Sequence, residues 1–289
     1  MKRNVLRLIN KILYKFNAKV VSNNLGNEKI FIETRYSNSN IFDLIKYKTN
    51  SNQRISLLTK IPILNLGYQP FLKAWVETLK HYEEEDLNQA IEDRESFKYL
   101  KGFYEKYKPK NIAKYVGLGI LDFGNEYFNL NPIYTVMPWQ EESYKDFAVF
   151  TQEMMKAEFE EFSNEKYKIE YGQKRYGPIS EKLLYVEYER LIKVYDSIKN
   201  SGLDNDFTTR GYILISKNKY KYIVYGALHR TAALIALCNE ELPIEISLVK
   251  NVVINRDEFK NWHHVKSGLY TEEQALQVFD NFFKPLIPL

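Results

Sequence analysis

The sequence predicts an α/β protein of the α+β kind, with a helix-rich front half and a back half of mixed sheet and helix. Two observations carry this reading. From residue 69 to about 165, apolar residues recur at helical spacing over long runs. From about 171, short runs rich in Ile, Val and Tyr alternate with turns and one alanine-rich helical stretch. Of 289 residues, 45% are apolar and 27% charged, enough for a sizeable core beneath a water-facing surface. The expected organisation is a basic amphipathic helix at 1–22, a helix-rich accessory region at 23–165, and a sheet-containing domain with C-terminal helices at 166–289.

Residues 1–20 hold six bases (Lys2, Arg3, Arg7, Lys11, Lys15, Lys19) and no acid. The whole chain has 41 bases and 37 acids, so the remainder carries 35 against 37 and is near neutral. That balance argues against a nucleic-acid binder. On a helical wheel Val5, Leu6, Leu8, Ile9, Ile12, Leu13 and Phe16 share a face opposite Arg3, Arg7, Lys11 and Lys15. The expected partner of such a helix is the protein body or an anionic membrane surface. No run approaches the ~18 consecutive apolar residues of a transmembrane helix. The expected location is therefore the cytoplasm, either free of the membrane or held at its inner surface by residues 1–20. The one cysteine, Cys238, excludes an intrachain disulfide and is expected to be a small buried apolar residue.

The segment "KIFIETRY" alternates like a strand, and "YSNSN" and "KTNSNQR" break the chain. "QPFLKAWVETLKHYEEEDLNQAIEDRESFKYLKGFYEKY" predicts helices, with Pro70 in a first turn; the acidic run Glu83–Asp86 reads as a solvated face. "PIYTVMPWQEE" is irregular, and Trp139 there is expected to be buried under a loop or to line a pocket mouth. "DFAVFTQEMMKAEFEEFSNEKY" is helical. A turn-rich "YGQKRYGPIS" precedes the helix "EKLLYVEYERLIKVYDSIKNSG", which ends at Gly202. "GYILIS", "NKYKYIVYG" and "LPIEISLVK" are strands, with the helix "RTAALIALCN" between the last two. Two short helices close the chain, the second opened by Thr271 and Gln274 in capping-box spacing.

The stretch "KYIVYGALHRTAALIAL", residues 221–237, carries the chemistry. A strand that turns at Gly226 directly into a helix leaves backbone N–H groups unpaired at the positive end of the helix dipole. Such a turn suits a phosphate or carboxylate. Arg230 offers a planar fork, His229 a donor or proton-transfer group, and Thr231 a hydroxyl. The competing expectation is that His229 and Arg230 cap a core helix and pair with acids.

The order of elements around this motif resembles the ParB/sulfiredoxin superfamily. The matching pieces are "YGPIS", "ERLIKVYDSIKNSG", "GYILIS", "KYIVYGALHRTAALIAL" and "LPIEISLV", across residues 171–250. The resemblance implies a nucleotide-binding domain at 166–289 whose box and helix N-terminus hold phosphates. Gly226 falls where many members have Asp or a first Gly, Ala227 where they have the usual Gly, and Leu228 at the variable position. His229 and Arg230 fall on the His-Arg pair. Leu228 stands where sulfiredoxins need a cysteine, so sulfinate reduction is not implied. The front half and the tail "WHHVKSGLYTEEQALQVFDNFF" are similar to uncharacterised proteins of bacterial surface-polysaccharide gene clusters.

The expected function is ATP-dependent phosphoryl transfer to a small molecule or glycan precursor, with ATP and Mg²⁺ implied. Gly226, Ala227, Leu228, His229, Arg230 and Thr231 would hold the phosphates, with Arg190 and Arg175 as further phosphate contacts. His229, Glu187 and Glu189 are the candidate catalytic groups, and Glu141 and Glu142 are further candidate bases. His263 and His264 are expected to divide into one buried and one exposed side chain. The alternatives are a non-catalytic nucleotide-binding or ParB-like nucleic-acid-binding module, and a membrane-associated structural subunit.

Overall fold

The computed structural model describes residues 29–31, 56–86, 88–119, 125–203, 208–247 and 252–284; the helix expected at 1–22 lies outside them. The protein is mixed α/β. One sheet runs in the order β1 (Lys29–Phe31), β2 (Ser56–Pro62), β7 (Glu241–Ser247), β5 (Thr209–Ser216), β6 (Lys219–Gly226), with β8 (Val253–Asn255) also paired to β5. The sheet is mixed: β5 is antiparallel to β6 but parallel to β7 and β8. A tight turn joins β5 to β6, with Lys217 in the left-handed region at φ 54°. A separate hairpin pairs β3 (Gly172–Gln173) with β4 (Tyr176–Ile179).

Strand alternation divides the core in two. Ile213, Tyr222 and Val224 enter one apolar cluster, built with α1 (Pro70–Glu83), α2 (Glu95–Lys106), α5 (Glu181–Ser201) and α6 (Leu228–Ala236). Leu214, Ile223 and Ile254 enter the other, with α3 (Ile112–Tyr115), Trp139, Trp262 and α8 (Glu272–Asn281). A short α7 (His263–Lys266) precedes α8. The long α4 (Tyr144–Ser163) adds a third cluster by packing Met155 and Phe159 against Leu183 and Val186 of α5.

Helix boundaries follow local chemistry. Pro70 occupies the first turn of α1, where its missing N–H costs nothing. The Ser143 and Ser180 side chains cap α4 and α5, and Gly202 ends α5 at φ 76°. Thr271 and Gln274 form the capping box expected for α8. In the acidic run, Glu85 accepts hydrogen bonds from both the backbone N–H and the hydroxyl of Ser96, capping the start of α2 rather than facing water alone.

Three features depart from the sequence reading. β2, which the local pattern did not announce, pairs along its whole length with β7. Residues on both sides of the 165/166 division therefore share one sheet, and Trp75, Leu100, Leu191 and Ala233 share one core. "YGQKRYGPIS" holds the β3–β4 hairpin, with Lys174 and Arg175 at its turn. Cys238 is exposed, because α6 ends at Ala236 and the chain turns at Cys238 with φ 56°.

Candidate functional site

At the turn from β6 into α6 the structure separates the residues that the motif groups together. Ala227 caps the helix in the left-handed region at φ 60°, a conformation that favours glycine. Ala227 and Arg230 are exposed and Gly226 half-buried, whereas Leu228, His229 and Thr231 point inward. The Thr231 hydroxyl donates back to the Ala227 carbonyl at 3.1 Å.

His229 is buried, and its Nε2–H donates to Glu187 Oε2 at 2.9 Å. Trp75 of α1 stacks on the imidazole, with ring centroids 4.4 Å apart and planes 19° from parallel. Glu187 Oε1 accepts from Arg190 at 3.0 Å, one helical turn along α5. Arg190 also donates to Glu158 of α4 at 3.2 Å, and Glu158 pairs with Lys174 of the hairpin. The Lys174 carbonyl accepts the Tyr104 hydroxyl at 2.7 Å, and the Tyr104 oxygen accepts Trp75 Nε1–H at 3.3 Å. These contacts close a ring through α1, α2, the hairpin, α4, α5 and α6.

The ring has a definite charge state. Burial raises the Glu187 carboxyl, but the His229 hydrogen bond and the charges of Lys174 and Arg190 outweigh it and hold the group at about 2. Burial pushes the His229 imidazole below its ordinary value, against the pull of Glu187. At neutral pH two carboxylates therefore face two cations around a neutral imidazole, so the buried charges balance.

A cavity of about 310 Å³ opens beside β6, the last strand at one edge of the sheet. The segment before α1 covers that edge: the Gly67 N–H donates to the Tyr222 carbonyl at 3.0 Å, and Gln69 Nε2 donates to the Val224 carbonyl at 3.0 Å. Aromatic side chains dominate the walls, among them Phe71, Tyr115, Trp139, Tyr176, Tyr212 and Phe282. The charged residues that line it are Lys114, Arg175 and Lys284; no described Asp or Glu does. Lys114 and Lys284 are exposed at the rim, whereas Arg175 is half-buried with its guanidinium 5.7 Å from the centre of the Phe71 ring. Among the described residues, four buried side-chain polar atoms lack a hydrogen-bond partner: Gln69 Oε1, Thr135 Oγ1, Trp139 Nε1 and the Tyr176 hydroxyl. All four belong to residues lining this cavity. Buried polar groups without partners are rare and costly, so their concentration around one space makes this cavity the candidate site.

The sequence-derived candidates fall into three places. Glu187, His229 and Arg190 come together in the buried ring. Arg175 and Trp139 line the cavity, and Tyr225, just before Gly226, lines it too. Glu189, Glu141 and Glu142 are exposed and join neither group. His264 is buried and His263 exposed; His264 Nε2 donates to the Glu142 carbonyl at 3.1 Å. Among the described residues no three or more His, Cys, Asp or Glu side chains gather to hold a metal ion. No helix among them is long and apolar enough to cross a membrane. Sequence reasoning missed Gln69, Thr135 and Tyr176: the segments of Thr135 and Tyr176 drew notice, but for Trp139 and for the order of elements and not for these side chains. Comparison of the chain with known protein families, curated protein sequences and solved structures gives no match in any of the three.

Proposed function

We propose that the protein binds a nucleotide in the cavity beside β6. One observation carries the reading: an aromatic cavity whose only charged lining among the described residues is basic, formed by Lys114, Arg175 and Lys284. Flat apolar walls favour a planar ring, and an acid-free basic rim favours an anion. A nucleotide satisfies both. The exposed turn at Ala227 and Arg230 lies two to five residues beyond Tyr225, on the side where β6 leaves the cavity.

Of the functions the sequence raises, this is the non-catalytic one. Phosphoryl transfer to a small molecule or glycan precursor needs a base at the acceptor. The described cavity walls provide no carboxylate. Glu187, paired with both His229 and Arg190, is committed to the interior. The test is a thermal-shift series on the full chain with ATP, CTP and GTP at low salt. A bound nucleotide raises the melting temperature in proportion to the logarithm of its concentration, and added salt diminishes the rise. A melting temperature indifferent to all three nucleotides removes the proposal.

A further inference from the structure

Resting on the nucleotide reading, the arrangement of polar groups in the cavity assigns an orientation to the ligand. We infer that the neutral hydrogen-bonding ring enters first and is read by Gln69, Thr135, Trp139 and Tyr176, while the phosphates stay at the rim.

The four unpartnered atoms belong to side chains at most 8% exposed, and the lysines of the same cavity are exposed. The buried end of the site is thus neutral and polar, and its mouth is cationic. A phosphate forced among Gln69, Thr135 and Trp139 would lose hydration that no fully buried cation replaces; outside them it keeps water and gains Lys114, Lys284 and the half-buried Arg175.

The donor and acceptor roles are partly fixed. The Val224 carbonyl can only accept, so the Gln69 amide nitrogen must face it and Oε1 is left as a pure acceptor. Trp139 Nε1 is a pure donor. The buried end of the ligand must therefore present an N–H or O–H to Gln69 and a lone pair to Trp139. The Thr135 and Tyr176 hydroxyls adapt to either role. A nucleobase edge offers a donor beside an acceptor on a plane that stacks against aromatic walls. A bare polyphosphate offers acceptors only.

This assignment has an uncommon mutational signature. Thr135→Val and Tyr176→Phe each delete a hydroxyl that the ligand-free protein leaves unsatisfied. The fold should hold its melting temperature or gain, because nothing is broken. Nucleotide affinity should fall by about tenfold for each variant, the worth of one buried hydrogen bond in a dry site. The affinity for inorganic triphosphate, which carries no base, should not change. Lys114→Ala should weaken ATP and inorganic triphosphate alike. The experiment is titration calorimetry of the full chain and these three variants with ATP, CTP and inorganic triphosphate, with melting temperatures recorded in parallel. If the wild type binds nucleotide and both hydroxyl deletions bind it equally well, the orientation is overturned while the nucleotide reading stands. If the folded wild type binds no nucleotide, both fall.

Discussion

Glu187 of α5 and His229 of α6, 42 residues apart in sequence, meet across a buried 2.9 Å hydrogen bond. The bond orients the imidazole beneath Trp75 and gives the Glu187 carboxylate a second partner besides Arg190. Removing one member of a buried charged pair leaves the other uncompensated. Glu187→Ala should therefore cost about 3 kcal/mol, because Arg190 and Lys174 then share Glu158 alone. His229→Ala should cost about 2 kcal/mol through the space left beneath Trp75 and the lost bond. Urea denaturation followed by far-UV circular dichroism checks both values. Losses below about 0.5 kcal/mol, the level of a surface substitution, would show that the ring is not a structural centre.

The same pair fixes the sign of an acid dependence. His229 titrates below its ordinary 6.5 in the folded protein, because burial disfavours its charged form. The unfolded chain then binds more protons, so this contribution is complete above pH 6.5 and erodes as the pH falls through the folded value. Glu187, lowered from 4.5 to about 2, adds a second loss between those limits. Buried His264 is also lowered and contributes to the first window. The urea midpoint should decline in two stages on acidification, and His229→Gln should flatten the first stage without abolishing it. A midpoint level from pH 7 to 5 would contradict the buried neutral imidazole.

At Gly177 the backbone of β4 passes directly against the end of α2. Its N–H donates to the Tyr107 carbonyl at 2.9 Å, and an added Cβ would lie 1.8 Å from the Tyr104 carbonyl oxygen. Gly177→Ala must push the hairpin away from α2, at a cost of about 2–3 kcal/mol. Because Arg175 and Tyr176 precede it, nucleotide affinity should fall along with the melting temperature. Scanning calorimetry with and without ATP reads both effects.

Ala227 poses the reverse case. Its φ of 60° is strained for any residue with a Cβ, and glycine relieves the strain. Ala227→Gly should leave stability unchanged or raise it by up to about 1 kcal/mol, since the folded-state relief opposes the extra freedom of the unfolded chain. Ala227→Val should destabilise by more than that, because a β-branched side chain fits this region worst. Urea midpoints of the two variants give the comparison.

Much of the fold is legible because its signals are local. Ser180 and Gly202 bracket α5, Thr271 and Gln274 open α8, and the runs at 211–216 and 219–226 alternate as strands. β2 was not legible, since its place depends on β7, some 180 residues later, and not on its own pattern. The motif at 221–237 located β6 and α6 but not the direction of His229. That direction depends on Glu187 and Trp75 offering the imidazole a partner and a face inside the core. The cavity was the least legible part. Gln69, Thr135, Trp139 and Tyr176 come from three separate segments, and Gln69, Thr135 and Tyr176 each read alone as an ordinary core or loop residue. Trp139 and Arg175 were recognisable as candidates, one for its setting beside Pro138 and the other for its charge, but nothing in the sequence joins them.

Titration calorimetry of the full chain with ATP, CTP and GTP at low salt, repeated on Arg175→Ala, tests the central claim most directly. Arg175 is the half-buried cation of the cavity and the one held over an aromatic ring of its wall. The account predicts saturable binding at one site, weakened by salt and at least about tenfold weaker in the variant, as expected for the loss of a charge-assisted phosphate contact. Folded wild-type protein that binds none of the three, or a variant that binds as tightly as the wild type, would contradict it.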